Sequence, residues 1–388
     1  MRVVVVGGGI GGLAAARSMW LAGFDVLALE REAAFGEIGG GVQLGPNATR
    51  VLRRLGLGAG LDKIGVTPRS FRLLRWANDE VLSDYDLAGD AERRYGSPYY
   101  TVYRPELVEL LASGLPEGAV RLGASATDVL IGDRNEVRLA DRTVEDTDIV
   151  VGADGIHSMV RAATLGDGPA RYSRMVAYRA ILPWEALPAG TEPVLRSWLG
   201  PGRHLTCYPV GAGGRYLQLV AVVPEPISSA ESWTALGALD DLRTHFDGWS
   251  PGVRALLDAV TGPVYRWALY DRDPLPRWST AGSTLLGDAC HPMLPFMAQG
   301  AGQALEDAAA LAACLRQNTG DPASALTRYE VARQPHTARI QRLSWANNTS
   351  FHLADGPEQQ LRDEGLARSR TTEALHWLYE NDPEHLPD

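Results

Sequence analysis

The sequence predicts an α/β protein: a Rossmann-like nucleotide-binding domain, an inserted β-sheet domain and a C-terminal helical segment. Three observations predict it. A β-branched run, Val3–Val6, passes through Gly7-Gly8-Gly9-Ile10-Gly11-Gly12 into helix-forming Leu13–Ala22. Two later strands, Ile149–Val151 and Ser283–Leu286, each run into a turn carrying an acid. Between those two, residues 172–270 read as short apolar runs separated by glycine turns.

Each element has its own reason. A continuous β-branched run suits a strand buried on both faces of a parallel sheet. Gly23 stops the first helix, and Val26–Leu29 is a second strand ending in Glu30, completing a β-α-β unit. The stretch Gly39–Asn47 leads into an amphipathic helix from about Ala48 to Leu55. Residues 69–100 alternate like strands with a turn at Asn78-Asp79, and Arg104–Leu111 returns to helix. Residues 121–152 read as short strands. In the inserted region Val176–Leu182, Val194–Leu199, His204–Val210 and Tyr216–Val223 are strands, with loops at Leu199–Gly202 and Gly211–Gly214. A helical stretch around 230–260 follows, then the strand Ser283–Leu286, a long helix Gly302–Leu315 and a polar-faced helical tail from Leu326.

The length of 388 residues accommodates two to three domains, and 45% apolar with 22% charged residues fits a globular protein with a sizeable core. A net charge of −10 argues against coating nucleic acid. Three scattered cysteines, Cys207, Cys290 and Cys314, form neither a disulfide framework nor a zinc pattern, so no metal is expected. Lys63 is the only lysine among 37 basic residues, which leaves little room for Schiff-base chemistry. Apolar residues begin at Val3 inside the first strand, and the run Val3–Ala16 is too short and glycine-laden for a membrane helix. A cytoplasmic protein without membrane contact is expected.

Gly7, Gly9 and Gly12 fit G-x-G-x-x-G between a strand and a helix. The first permits the tight turn, the second lets backbone approach a pyrophosphate, and the third lets helix and strand pack closely. The helix N-terminus offers free N–H groups and partial positive charge to phosphates. Glu30 is placed to accept from a ribose, and the adjacent Arg31 is assigned to the nucleotide with it. This motif alone does not separate FAD from NAD.

The segments Ile149–Ser158, with Asp154-Gly155, and Ser283–Pro292, with Gly287-Asp288, place an acid where a parallel strand ends. Together with the glycine loop, in this order and spacing, they resemble the single-component aromatic hydroxylases that bind FAD. Gly41–Asn47, Val176–Arg179, Gly287–Pro292, Met297–Ala301 and Trp377–Tyr379 resemble the salicylate, 3-hydroxybenzoate and 6-hydroxynicotinate hydroxylases. The resemblance covers essentially the whole chain. It implies an FAD-binding domain in three parts (1–70, 101–171, 273–325), a substrate domain in two (71–100, 172–272) and a helical region, 326–388.

The resemblance further implies that Asp288 meets the ribityl–pyrophosphate region, that Asp154 serves FAD and a transient NADH or NADPH, and that Arg104 lies over the flavin. Pro295–Gly302 leads into the long helix. Its start at Gly300, Ala301 and Gly302 would aim N–H groups at the flavin N1–C2=O edge. Glu306 and Asp307 are read as first-turn acids serving the helix dipole. No second G-x-G-x-x-G occurs, so the nicotinamide visits only transiently.

Flavin hydroperoxide chemistry at C4a needs a dry pocket, an electron-rich ring and a group that takes a phenol proton. In His204-Leu205-Thr206-Cys207-Tyr208, period two sends His204, Thr206 and Tyr208 to one face. By the resemblance His204 is the base or hydrogen-bond partner of the ring hydroxyl and Tyr208 orients the substrate; the alternative is a sheet face bonded to backbone or water. Gln43 and Gln299 are candidates for substrate or flavin contacts. The pyridine-acid hydroxylases have histidine near position 43, so glutamine there counts against a nicotinate substrate and is compatible with a benzenoid one. Arg179 is either the partner of an acidic substrate or a structural ion pair. His157 and His291 are read as structural.

The expected reaction is NAD(P)H- and oxygen-dependent hydroxylation of a small aromatic acid or phenol, with decarboxylation if a carboxylate occupies the attacked carbon. The partners are that substrate and O2, and the chain is a monomer or homodimer. A reductase, dehydrogenase or epoxidase on the same scaffold is the alternative. Halogenation is disfavoured by the single lysine and the lack of a Trp-x-Trp-x-Ile-Pro run. A flavoprotein sensor would bind FAD without ligand-stimulated NAD(P)H oxidation.

Overall fold

The computed structural model describes residues 1–36, 40–166, 168–226, 235–368 and 371–385. Gly39 and the first part of the helical stretch expected around 230–260 lie outside them.

Five parallel strands form the nucleotide sheet, in the order Ser283–Leu285, Ile149–Gly152, Arg2–Val6, Asp25–Leu29, Val120–Arg121. Val3, Val4, Val5, Ile149, Val150 and Val151 are fully buried, as two-sided strands require. Because all five run the same way, their carboxyl ends share one edge. The Gly7 loop, Glu30, Ala153-Asp154 and Gly287-Asp288 therefore all arrive there. Helix Ile10–Leu21 covers the sheet with helix Gly300–Gln317, and Gly11 sits where a Cβ would press on Leu286 and Ala304.

A second sheet has seven strands, in the order Tyr265–Asp271, Arg171–Pro183, Tyr216–Pro224, Arg203–Val210, Leu195–Gly200, Ser70–Arg75, Val81–Asp86. The two glycine-rich loops of this region join adjacent antiparallel strands, as read from sequence. Its back face carries Val176, Tyr178, Ala180, Leu205, Cys207, Leu217 and Leu219 against helices Leu239–His245 and Pro251–Asp258. The register places Ala177, Arg179, Ile181, His204, Thr206, Tyr208, Gln218, Val220 and Val222 on the front face. Residues 69–100 are not all strand: Asp90–Tyr95 is a short helix, its ends set by Gly89 and Gly96 at positive φ.

A two-stranded ribbon, Gly41–Leu44 with Tyr100–Tyr103, joins the halves. Thr101 donates to the Pro209 carbonyl at 2.5 Å, and the Gly41 N–H donates to Gln218 Oε1 at 2.5 Å. Helices Pro322–Ser350 and Pro357–Arg368 close the chain around both. Among the described residues, no helix is long and apolar enough to cross a membrane.

Candidate active site

The nucleotide loop is built to leave an opening. A Cβ on Gly12 would lie 1.9 Å from the Gly7 carbonyl oxygen, and one on Gly7 2.3 Å from the Ala153 oxygen, so both positions are locked by backbone packing. Gly7 also has φ +113°, a conformation only glycine adopts without strain. A Cβ on Gly9 would meet nothing within 4 Å. Gly9 is the N-cap of helix Ile10–Leu21, and no side chain caps its first N–H groups. A helix end left open in this way, at a site any side chain would fill, fits a pyrophosphate.

Glu30 holds this loop in shape: its carboxylate accepts from the Gly8 N–H at 2.8 Å and the Glu32 N–H at 2.9 Å. Arg31, assigned to the nucleotide, points outward and pairs with Glu32 at 3.3 Å on the exposed surface. Asp154 has a structural duty that the sequence reading did not include. Its carboxylate accepts from the Ser158 hydroxyl and from the Met159 and Val160 N–H groups, capping helix Met159–Thr164. It shapes the edge through this cap, and Ala153 beside it packs on Gly7.

Arg104 and Asp288 do come together. Arg104 opens helix Arg104–Ser113, with its N–H donating to the Gly40 carbonyl at 3.0 Å. Burial lowers the pKa of its guanidinium, and the charges of Glu30 and Asp288 oppose that fall. Asp288 stays exposed while Gly287 and Ala289 beside it are buried. It also lies next to Gly300, where a Cβ would stand 3.9 Å from its carboxylate.

The long helix begins at Gly300, with Gln299 as N-cap and no side-chain cap. Pro295 starts the 3₁₀ turn Pro295–Met297, and Ala298 follows at φ +51°, redirecting the chain into Gly300-Ala301-Gly302. Gln299, proposed as a ligand contact, is buried and its Oε1 accepts from Asn47 at 3.1 Å and Gln303 at 3.2 Å. It fastens the helix start to helix Pro46–Arg54.

Glu306 and Asp307 lie in the second turn, not the first, and both are fully buried. Arg333 spans them at 2.7 and 2.8 Å, Asp307 also meets His291 at 2.5 Å and the Gly287 N–H at 3.0 Å, and Glu306 accepts from Asn47 and Asn381. Despite burial, His291 and Arg333 pull the Asp307 carboxyl down to about 2. This cluster ties the Gly287-Asp288 turn to the helix start. The sequence carried a signal in two adjacent acids inside an Ala/Leu helix, but the arginine that answers them is 26 residues away. The structural reading of His291 agrees with this arrangement.

On the front face of the large sheet, Tyr208 is buried and donates to the Gly41 carbonyl at 2.9 Å. Burial pushes its hydroxyl up to about 12, against the pull of Arg179 and Gln43. Arg179 lies over the Trp267 ring at 4.0 Å from its centre. Burial and the like charge of Arg104 bring its guanidinium down to about 10, with Tyr208 acting the other way. Gln43 accepts from the Tyr99 hydroxyl at 2.7 Å, a partner the sequence did not reveal. Tyr208, Arg179, Arg104, Gln43 and Gly40-Gly41 therefore surround one junction between the sheets. His204 shares the face but sits two steps along the strand, packed edge-on against Phe296 and Phe351 and bonded to His352.

The FAD binding domain family matches residues 1–219 and 273–344, both segments that build this edge. The chain belongs to that family. It is 39% identical over 380 residues to a 3-amino-4-hydroxybenzoate 2-monooxygenase of Streptomyces platensis, covering 97% of this chain and 95% of the relative. A 6-hydroxynicotinate 3-monooxygenase of Pseudomonas fluorescens is 38% identical, with 89% and 91% covered. The fold superposes on Klebsiella pneumoniae HpxO, solved with FAD and uric acid, with a TM-score of 0.87 at 26% identity over 99% and 97% of the two chains. The protein is thus an FAD-dependent monooxygenase of the aromatic hydroxylase type, as the motifs implied.

Proposed function

We propose that this enzyme hydroxylates a small aromatic acid bearing a ring hydroxyl, using NADH or NADPH and O2. The observation that carries the reading is the recessed junction where the Arg179 cation and the Tyr208 hydroxyl face the Gly40-Gly41 backbone and Arg104. A carboxylate on the substrate suits the buried Arg179 guanidinium. Tyr208, held as a neutral hydroxyl, orients the ring. His204 takes the proton of the ring hydroxyl. Names of the relatives support an aromatic acid, since each of the two acts on a hydroxylated ring carboxylate.

FAD, when bound, accepts hydride from the nicotinamide and activates O2 for transfer of one oxygen atom to the ring. The residues that would hold it are Gly7, Gly9, Gly12 and Glu30 at the first loop, Arg104 and Asp288 across the edge, and Gly300–Gly302 at the second helix start. In sum, ring C–H, O2, NAD(P)H and a proton give ring C–OH, water and NAD(P)+. The dry apolar packing around His204 and Phe296 keeps water from the reacting carbon. The same reading has the enzyme working in the cytoplasm as a monomer or homodimer.

A panel of hydroxylated benzoates and nicotinates, screened for stimulated NADH and NADPH oxidation with hydrogen peroxide measured alongside, tests it. Stimulation with product formed and little peroxide is expected. Oxidation unresponsive to every aromatic acid but responsive to neutral phenols would sink the carboxylate assignment.

A further inference from the structure

His352 lies in the segment after helix Pro322–Ser350, 148 residues from His204, yet its Nε2 is 2.7 Å from the Nδ1 of His204. The ring planes are 22° apart and the centres 5.0 Å apart. That separation is what two imidazoles joined nitrogen to nitrogen along one line must show, so the contact is an in-line hydrogen bond and not a face-to-face stack. Phe296 and Phe351 wall the pair. The His352 carbonyl also receives the Gly202 N–H at 2.9 Å, fixing the segment on the sheet.

We infer that His352 sets the tautomer of His204, so that His204 turns an unprotonated Nε2 toward the substrate hydroxyl. The inference rests on the reading of His204 given above and adds a positioning residue to it. Burial holds both rings below the ordinary histidine range, His352 at about 4, so the pair is neutral at neutral pH. In a neutral pair one of the two facing nitrogens donates and the other accepts. The Asn348 backbone, one turn earlier, favours a proton on His352. With Nε2 turned to His204, that proton belongs on Nδ1, which leaves Nε2 an acceptor. His204 must then donate through Nδ1, and its own Nε2 is bare.

The proton accounting is simple. The ring hydroxyl gives its proton to His204 Nε2 and is left as the more electron-rich phenolate. The positive charge so formed is shared with His352 through the Nδ1–H···Nε2 bond, and the proton returns when product is released. Phe296 and Phe351 contribute no charge, whereas Arg362, on helix Pro357–Arg368, discourages protonation of His352. Burial, with Arg362, therefore holds the pair neutral until a substrate proton arrives.

Imidazole ¹⁵N spectra of the FAD-loaded enzyme at neutral pH, assigned with H204Q and H352Q, test this directly. A proton on Nδ1 and none on Nε2 of His204 is expected; a proton on Nε2 overturns the inference. Ionisation of bound 3-amino-4-hydroxybenzoate, followed by absorbance across pH, supplies the second readout. Because the glutamine amide can accept from Nδ1–H, H352Q should stay within about twofold of the parent in acidity constant, while H352F should make the bound probe roughly tenfold less acidic. Equal behaviour of H352Q and H352F overturns the inference. If H204Q ionises the probe as the parent does, the base assignment itself falls; if H204Q fails to and H352F does not, only the role of His352 falls.

Discussion

The nucleotide cradle at the edge of the parallel sheet is made of main chain, whereas the wall supplied by the seven-stranded sheet is made of side chains at every second position. In the cradle the requirement is room for backbone and free N–H groups, so glycines at Gly7, Gly9 and Gly12 are the message and they fall within one short loop. In the wall, Arg179 and Tyr208 come from different strands, and Gly41 and Arg104 from a ribbon and a helix elsewhere. A cradle tolerates no added atom at its locked points; a wall tolerates change but loses selectivity.

The largest expected effect comes from Gly12→Val. The Gly7 oxygen at 1.9 Å from a Cβ cannot move without breaking the first turn, so soluble flavin-containing protein should be lost. Gly9→Ala is its counterpart: with open space at that position, the thermal midpoint should hold while FAD affinity falls, read by flavin fluorescence. Were both variants to fold and bind alike, the distinction between locked and open glycines would be broken.

Next comes the buried cluster that fastens the two halves of the cradle. Arg333→Met leaves Glu306 and Asp307 without their cation, and breaking such a pair costs about 3–5 kcal/mol. Denaturant unfolding should show it; a loss under about 1 kcal/mol would mean that the acids find other partners.

Arg179→Gln should act on the wall alone. An aromatic-acid substrate should lose roughly ten- to a hundredfold in KM, about 1.4–2.8 kcal/mol, with the thermal midpoint little changed. An unchanged KM with a large stability loss would instead make Arg179 a structural residue.

The smallest effect is the acid dependence of stability near His352. Its folded value, about 4, lies below the ordinary histidine range, so the unfolded chain binds more protons between about pH 6.5 and 4. Stability should fall as pH drops through that window, and H352Q should flatten the slope of thermal midpoint against pH. A parent slope unaffected by H352Q would assign the acid sensitivity to other groups.

Much of the nucleotide half was legible because its elements are local. The strand Val3–Val6, the glycine loop, the helix and Glu30 fall within 30 residues, and helix-terminus physics reads them directly. Asp288 and Arg104 were assigned to this edge through their flanking motifs, and the structure brings them near each other. Asp154 lies at the expected edge, and its capping duty was not legible because the Ser158 hydroxyl and the Met159 and Val160 N–H groups that it holds follow four to six residues later. Arg31 follows Glu30 at a strand end, where alternation turns its side chain the other way, into solvent. Glu306 and Asp307 looked like dipole partners because their cation lies on another helix.

Sequence by itself determined the parallel nucleotide sheet, the open helix N-termini and the face shared by His204 and Tyr208, because backbone sterics and the two-residue strand period act over a few positions. Only tertiary structure decided that Arg179 meets Tyr208 and Arg104, that Arg333 neutralises two buried acids, and that His352 reaches His204. Those pairings span tens to hundreds of residues, and a side chain's partner across such a gap is set by how the layers pack, which no local pattern encodes.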